Sequence, residues 1–298
     1  MTGPAPEAWA ALTRTSFSQR RGLLESVGRR DRASLWTLVH VLWAVADLRQ
    51  LGTAGSTESD IVNMVDRYRW QNGFAAAPGA RRRFFDDNAW LGLVALDLGE
   101  PSLAAEAFAF VRQGEDTSGG VRWVEDGTSR NACSTASAAW LAHRLGEPAF
   151  AERAIDWLDA TLRTDEGLYL DRIEEGRIDR TIWSYNQGSS LAALDLLGQH
   201  DAAETTAAAS FRLFTGDRLW HEPPPFLSIW FRALLAHRAS RRKATGLLVA
   251  HTDRLLVEAL DPATGLFTAG GVGSYDGSTT IDQAATVQLL AMRSLAAA

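Results

Sequence analysis

Apolar residues recur every three to four positions along most of the chain, which is the period of an α-helix with one buried face. Alternation typical of β-strands is almost absent. Its best examples, Val121 to Val124 and Gly167 to Ile173, lie between helical segments and predict small hairpins at most. From the breaks and caps we predict an all-α protein of about twelve helices, over residues 7–29, 31–51, 57–70, 84–98, 101–114, 131–145, 148–163, 183–198, 201–214, 226–239, 243–260 and 279–296.

A Leu-Gly pair recurs at nearly constant spacing along the chain. The four pairs begin at Leu51, Leu98, Leu145 and Leu197, with spacings of 47, 47 and 52 residues. Each pair ends a predicted helix, where we expect the glycine to adopt the left-handed conformation that caps a helix C-terminus. A period of about 47 residues with two helices per repeat is typical of an α-helical array.

The connections between helices alternate in length. Helices within a pair are joined by a few residues, whereas successive pairs are joined by loops long enough to suggest a function. These long loops cover residues 71–83, 115–130, 164–182, 215–225 and 261–278. Six helix pairs with every long loop on one side predict an (α/α)6 barrel that forms a single domain over residues 1–298. An open solenoid is the alternative.

Two adjacent aspartates, Asp86 and Asp87, begin the predicted helix 84–98. At the mouth of a barrel, the positive ends of the inner-helix dipoles favour one ionised carboxylate, and its charge raises the pKa of the other. One ionised nucleophile and one protonated acid, about 5–5.5 Å apart, is the pair that retaining glycoside hydrolysis uses. Aspartates in this position also suit plain helix capping.

Composition narrows the possible functions. The net charge of -6 gives no electrostatic footprint for nucleic acid. The single cysteine, Cys133, rules out an internal disulfide, and the six histidines show no metal-binding spacing. No apolar run is long enough to span a membrane, and residues 1–19 show no secretory signal, so a cytoplasmic location is expected. The 11 tryptophans suit both a core and the faces of sugar rings.

Three segments in the same order resemble glycoside hydrolase family 76, the endo-α-1,6-mannanase family. Phe85 to Gly92 resembles the family's Asp-Asp signature. Gly119 to Trp123, followed by Asn131, is similar to its Gly-Gly-x-x-Trp and Lys-Asn segments. Trp183 to Gly188 is similar to its Trp-x-Tyr-Asn-x-Gly segment, and the resemblance covers roughly residues 36–295.

The resemblance implies an (α/α)6 barrel that cleaves α-1,6-mannosidic bonds with retention and needs neither a metal nor another cofactor. Asp86 would be the nucleophile and Asp87 the general acid/base. The implied partner is a mannose-containing oligosaccharide or glycoconjugate. The residues that would contact it, with the two tryptophans stacking on sugar rings, are Trp123, Asn131, Trp183, Tyr185, Asn186 and Gln187.

The sequence departs from the family pattern in ways that bear on the substrate. Phe85 replaces a tyrosine, Arg130 replaces a lysine, and Phe226 to Trp230 replaces a Phe-Lys-Gly-x-Phe motif. Two other functions stay open. A sugar isomerase or epimerase on the same barrel would use histidines at the mouth, where only His221 is placed. A non-catalytic glycan-binding protein is compatible with the altered 226–230 segment.

Overall fold

The structure, a computed structural model, describes residues 3–18, 20, 22–26, 31–53, 56–117, 119–267 and 279–297. The helices in these ranges are α1 (Pro4–Ser16), α2 (Leu35–Gln50), α3 (Ser56–Val62), α4 (Phe85–Asp97), α5 (Pro101–Val111), α6 (Ala132–Arg144), α7 (Pro148–Thr161), α8 (Ser184–Leu196), α9 (His200–Leu213), α10 (Gly216–His221), α11 (Pro224–Ala236), α12 (Arg241–Glu258) and α13 (Thr280–Ala297). Short 3-10 helices cover Asn63–Tyr68 and Arg112–Gly114.

Seven short strands form small antiparallel sheets beside the helices in the described ranges. They are β1 (Phe17–Ser18) with β2 (Gly22–Leu23), β3 (Arg69–Trp70) with β4 (Gly73–Phe74), and a three-stranded sheet of β5 (Arg130–Asn131), β6 (Arg172–Glu174) and β7 (Arg177–Asp179). In the last sheet β6 is central, so it joins the loops that lead into α6 and α8.

Six helices form a closed inner ring. Each packs against the next in the order α2, α4, α6, α8, α11 and α13, and α13 packs back against α2. The outer helices α5, α7 and α9 pack on α4, α6 and α8, α12 packs on α11 and α13, and α1 packs on α13. The predicted (α/α)6 barrel is therefore confirmed, and the open solenoid is wrong.

The inner helices are buried on all sides, whereas the outer helices are buried on one side only, as α2 and α7 show. In α2 every residue from Leu38 to Leu48 is buried, because the helix is covered by neighbours on all sides. In α7 the buried residues Phe150, Ala151, Ala154, Ile155 and Leu158 form one stripe, which is the pattern of a helix with one solvent face. Among the described residues, no helix is long and apolar enough to cross a membrane.

The glycines of the four Leu-Gly pairs adopt the predicted left-handed conformation. Gly52, Gly99, Gly146 and Gly198 have φ values of 69°, 82°, 82° and 74°. They follow the C-terminal ends of α2, α4, α6 and α8. The repeat therefore marks the C-terminal ends of four inner helices, which lie at the end of the barrel opposite the mouth.

Several predicted boundaries are wrong. The predicted helix 7–29 ends at Ser16, and the antiparallel pair of β1 and β2 follows it, with Gly22 at a φ of 83°. The predicted helix 57–70 changes to 3-10 geometry after Val62. The predicted loop 215–225 contains α10. Residues 270–273, predicted as part of a long loop, lie outside the described residues.

Candidate active site

The start of α4 is held by contacts in which the N-cap side chain takes no part. The N-cap residue is Phe84, and its side chain makes no capping hydrogen bond. The amide of Asn88 instead fastens the helix start, since its Nδ2 donates to the carbonyl oxygens of Phe74 and Phe84 at 2.9 and 2.8 Å. Among the hydrogen bonds of the described residues, the Asp86 carboxylate accepts one first-turn N–H, that of Asp87, whereas the Asp87 carboxylate accepts none, so capping does not account for Asp87.

The carboxylate of Asp86 is buried and hydrogen-bonded at both oxygens. Its Oδ1 accepts from the backbone N–H of Asp87 at 3.0 Å. Its Oδ2 accepts from the indole N–H of Trp123 at 3.0 Å and from the thiol of Cys133 at 3.5 Å. Burial raises the pKa of Asp86 to about 6, and these hydrogen bonds limit the rise because they stabilise the ionised form.

The carboxyl group of Asp87 has a different environment. Its pKa is raised well above its ordinary value, first by burial and then by the negative charges of Asp86 and Glu25. Glu25 is fixed at the start of α2, where it accepts hydrogen bonds from the Ser34 backbone N–H at 2.6 Å and the Thr37 hydroxyl at 2.9 Å. The negative charge of Asp86 thus raises the pKa of Asp87, so that Asp87 is the carboxyl group of the pair that holds its proton more strongly.

A cavity of about 290 Å³ opens at this pair. Besides the two aspartates, its walls consist of aromatic side chains from α2, α4, α8, α11 and the segments before α4 and α6. They are Trp36, Phe84, Trp90, Trp123, Tyr185 and Phe226. Aromatic faces of this kind pack against the C–H surfaces of sugar rings, while the carboxyl groups face the polar edges.

The aromatic side chains of α8 and α11 pack against one another along one side of the cavity. The Phe226 ring stacks on the Tyr185 ring at 4.0 Å and 13°, and the Trp183 ring contacts Phe226 edge-on at 5.4 Å. Trp183 thus supports Phe226 and is not among the described residues that line the cavity. Its predicted stacking on a sugar is not reflected in its position.

Of the remaining residues predicted to contact the sugar, some line the cavity and others are used in contacts within the protein. Trp123 and Tyr185 reach the cavity. Gln187 is fully buried, and its amide bonds to both the N–H and the carbonyl oxygen of Tyr169 at 2.8 Å, so it anchors the loop before α8. Asn131 accepts from the Ser129 hydroxyl at 2.6 Å. Asn186 lies deeper, with its Oδ1 buried and without a hydrogen-bond partner.

Two polar residues behind the cavity were not predicted from the sequence. Asp171, 5% exposed, accepts a hydrogen bond from the Asn186 amide at 3.4 Å, and burial raises its pKa. Burial, together with the charges of Asp86 and Asp171, raises the pKa of the Cys133 thiol. Cys133 is therefore a protonated thiol that donates to the nucleophile candidate.

Among the described residues, no group of three or more His, Cys, Asp or Glu side chains is arranged to hold a metal ion. His221, the predicted mouth histidine, is exposed on α10 and hydrogen-bonds to the carbonyl oxygen of Asp217 at 2.7 Å. His40 is buried in the barrel, where burial lowers its pKa to about 3. No histidine is among the described residues that line the cavity.

Comparison with known proteins decides the family. The model of glycosyl hydrolase family 76 matches residues 15–205, more than half of the chain. The chain belongs to glycosyl hydrolase family 76. Membership confirms the resemblance found in the sequence and the predicted enzyme class, a glycoside hydrolase. A search of curated proteins found no match.

Solved structures of family 76 share the fold over the whole chain. A family 76 glycoside hydrolase from a bovine strain of Bacteroides thetaiotaomicron has a TM-score of 0.82 at 19% identity, covering 99% of this chain and 77% of that chain. An α-1,6-mannanase from Salegentibacter sp. has a TM-score of 0.79 at 19% identity, covering 98% of both chains. At this identity the similarity shows the barrel fold.

A third structure is a variant of the same Salegentibacter α-1,6-mannanase in complex with α-1,6-mannotriose. It is described as inactive, and two consecutive aspartates are replaced by asparagine. Its TM-score is 0.77 at 19% identity, covering 98% of both chains.

Proposed function

We propose that this protein is a retaining glycoside hydrolase that cleaves α-1,6-mannosidic bonds in oligosaccharides or glycoconjugates. The observation that carries the proposal is the Asp86–Asp87 pair in an aromatic cavity, with the pKa of Asp87 raised further than that of Asp86. A similar enzyme that is described as an α-1,6-mannanase is inactive when two consecutive aspartates are changed to asparagine, and it then holds α-1,6-mannotriose.

The proposal gives one role to each carboxyl group. The protonated Asp87 gives its proton to the glycosidic oxygen as the bond to the leaving sugar breaks. The ionised Asp86 attacks the anomeric carbon and forms a covalent mannosyl-enzyme ester. The Asp87 carboxylate then takes a proton from water, which attacks the ester and releases mannose with its configuration retained. The hydrogen bonds from Trp123 and Cys133 keep Asp86 ionised and oriented.

Hydrolysis of α-1,6-linked manno-oligosaccharides by wild type, Asp86→Asn and Asp87→Asn tests the proposal. We expect wild type to release products in the α configuration, seen by NMR, and each variant to lose about 10³-fold or more in kcat. Asp126→Asn is the matched control, because Asp126 is exposed in the loop before α6. Full activity in either asparagine variant would disprove the assigned roles.

The two alternatives predict other outcomes. Binding of the oligosaccharides by wild type without cleavage would favour a glycan-binding protein. Interconversion of free sugars would favour an isomerase or epimerase, although the described cavity wall contains no histidine to act as acid or base. The cytoplasmic location and the single domain over residues 1–298 stay predictions.

A further inference from the structure

A ribbon of short antiparallel segments borders the cavity at Trp123. Arg122 forms an isolated bridge with Arg130 of β5, β5 pairs with β6, and β6 pairs with β7. The Trp123 N–H also donates to the Ser129 carbonyl oxygen at 2.9 Å. Backbone pairing therefore connects the cavity wall at Trp123 to the β6–β7 hairpin.

The register of the ribbon determines which side chains share a face with Trp123. Directly opposed residues in antiparallel strands have side chains on the same face, and successive residues along a strand alternate between faces. Trp123 and Asn131 each follow a residue of the Arg122–Arg130 bridge, so both lie on the face that the bridge does not use. Asn131 is opposed to Arg172, and Arg172 is opposed to Asp179. This face therefore carries Trp123, Asn131, Arg172 and Asp179.

The other face of the ribbon is turned toward the outer helices. The Arg122 guanidinium lies over the Phe85 ring at 5.4 Å and donates to the Gln113 carbonyl oxygen at 3.1 Å. Phe85 stacks on Phe110 of α5, and Gln113 follows the end of the same outer helix. The face with Trp123 is therefore the one turned toward the cavity, which Trp123 lines.

Two carboxylates hold the Arg172 guanidinium in place on this face. Its Nη1 donates to Asp171 at 3.3 Å, and its Nη2 lies 3.2 Å from the Asp179 carboxylate. Asp171 also accepts from the Asn186 amide at 3.4 Å, and Asn186 follows Tyr185, which lines the cavity. The side chains of Arg172 and Asp179 are 41% and 34% exposed. An ordered pair of opposite charges therefore faces solvent beside the cavity wall.

This pair lies outside the cavity but within reach of a glycan that fills it. β6 is two strands away from the segment of Trp123, which corresponds to about 10 Å at the usual strand spacing. The cavity of about 290 Å³ is small for a ligand site, so a glycan of several sugar units extends beyond it. A chain that leaves the cavity over the exposed side of Trp123 reaches Arg172.

We propose that Arg172 and Asp179 form a further sugar subsite, which binds a neutral mannose unit of the glycan outside the cavity. The inference rests on the proposed function, because it follows the same glycan out of the cavity. A guanidinium has five N–H donors, and the contacts with the two carboxylates leave others for the hydroxyl oxygens of a sugar. The Asp179 carboxylate accepts from a neighbouring hydroxyl, so the pair supplies both the donor and the acceptor that adjacent sugar hydroxyls require.

The test measures kcat/KM for α-1,6-linked manno-oligosaccharides of increasing length, from mannotriose to mannohexaose. For wild type we expect kcat/KM to rise about tenfold at the length that reaches Arg172, because hydrogen bonds to charged groups are added there. In Arg172→Gln and in Asp179→Asn we expect this rise to be lost. Asp179→Asn keeps an oxygen that accepts from the Thr181 N–H, so it tests the subsite even if Arg172→Gln disturbs the hairpin.

Arg254→Gln is the matched control. Arg254 is likewise ion-paired, to Glu258 at 3.0 Å, and its side chain is 39% exposed, but it lies on the outer helix α12. We expect this variant to keep the wild-type dependence on length. The inference would be overturned, and the proposed function left intact, by three results: no rise with length in wild type, the same loss in the control, or an equal loss at every length in both subsite variants.

Failure of the proposed function gives a different result. If wild type cleaves none of these oligosaccharides, calorimetric titration with α-1,6-mannohexaose decides the inference. Tighter binding by wild type than by Arg172→Gln and Asp179→Asn would support glycan recognition by the pair. Equal binding by the three proteins, or no binding, would overturn it.

Discussion

At the scale of single residues, the different environments of Asp86 and Asp87 determine how activity depends on pH. Asp86 must be ionised to attack, and burial raises its pKa to about 6. We therefore expect kcat/KM to fall as the pH is lowered through about 6, because Asp86 becomes protonated. At high pH we expect a second loss, when Asp87 loses its proton. A pH profile with a neutral oligosaccharide measures both limbs.

The hydrogen bond from Trp123 to Asp86 gives a sharper prediction. Trp123→Phe keeps an aromatic ring in the cavity and removes the N–H that stabilises the ionised carboxylate. We expect kcat to fall about tenfold and the acidic limb of the pH profile to move to higher pH, because the pKa of Asp86 rises further. If Trp123 only stacked on a sugar ring, the substitution would change KM and leave the acidic limb of the pH profile unmoved. That result would contradict the role of its N–H in stabilising the Asp86 carboxylate.

The thiol of Cys133 leads to a chemical prediction. Cys133 is buried, and burial and two neighbouring carboxylates raise its pKa. Because the thiolate is the reactive form, we expect iodoacetamide to leave the folded protein unlabelled at neutral pH and to label it after denaturation, as measured by mass spectrometry. Rapid labelling of the folded protein would mean that the thiol is accessible and ionised, contrary to the structure.

The sequence predicts those residues of the site that are close to one another along the chain. Asp86 and Asp87 are recognisable because they are adjacent and begin a helix. Cys133 and Asp171 are brought to them by neighbouring helices and by the β5–β6 pairing, and no short-range pattern marks such contacts. Gln187 belongs to a recognisable motif, yet its amide is used in holding the Tyr169 backbone.

At the scale of secondary-structure elements, the close approach of α8 and α11 positions one wall of the cavity. Gly188 lies where these helices touch, and a Cβ added there would be 2.7 Å from the Trp230 Cα and 3.0 Å from the Ile229 carbonyl oxygen. These are backbone atoms, so a rotamer change in a neighbour cannot relieve the contact. One turn away, Tyr185 and Phe226 form the stacked pair that lines the cavity.

Gly188→Ala should therefore push the two helices apart. We expect a loss of about 1–3 kcal/mol in the free energy of unfolding and a rise in KM, because the Tyr185–Phe226 pair moves. Gly246→Ala on α12 is the control: it is exposed and has no atom within 4 Å of an added Cβ. There we expect stabilisation of roughly 0.5–1 kcal/mol. Chemical denaturation measures the free energy of unfolding of both variants. Equal changes in the two would contradict the close helix contact at Gly188.

The helices themselves were well predicted, because their periodicity and caps are local signals. The Leu-Gly pairs gave the ends of four inner helices, and the left-handed φ of Gly52 and its three counterparts confirms them. The region after Ser16 could not be predicted in this way. The chain there forms the β1–β2 pair, with Gly22 in the left-handed conformation, and no periodic signal in the sequence marks that pairing.

At the scale of the whole molecule, an ion pair joins distant parts of the chain across the closed ring. Arg232 of α11 donates two hydrogen bonds to the Asp47 carboxylate of α2, at 2.9 and 2.7 Å, and lies over the Trp43 ring. Asp47 is 1% exposed. Burial raises its pKa, and the Arg232 charge opposes the rise. The pair therefore depends on both partners being present.

Replacing Arg232 by methionine should leave Asp47 buried without its partner. We expect a loss of about 3–5 kcal/mol at pH 8 and a smaller loss at pH 5. Without Arg232, the pKa of Asp47 in the folded state rises further above its value in the unfolded state. The free energy of unfolding therefore decreases as the pH rises through the folded-state pKa of Asp47. Denaturation at both pH values measures this, and Asp47→Leu/Arg232→Met should recover part of the stability. A loss that does not depend on pH would contradict it.

The contact between α2 and α13 has a consequence for biosynthesis. These helices come from opposite ends of the described chain, so a protein emerging from the ribosome presents the aspartate pair long before the ring is closed. Until residues 280–297 are synthesised, α2 and α11 lack the neighbour that covers their apolar faces. Nascent and truncated chains would therefore be clients for chaperones and targets for proteases, even though they already contain both candidate catalytic residues.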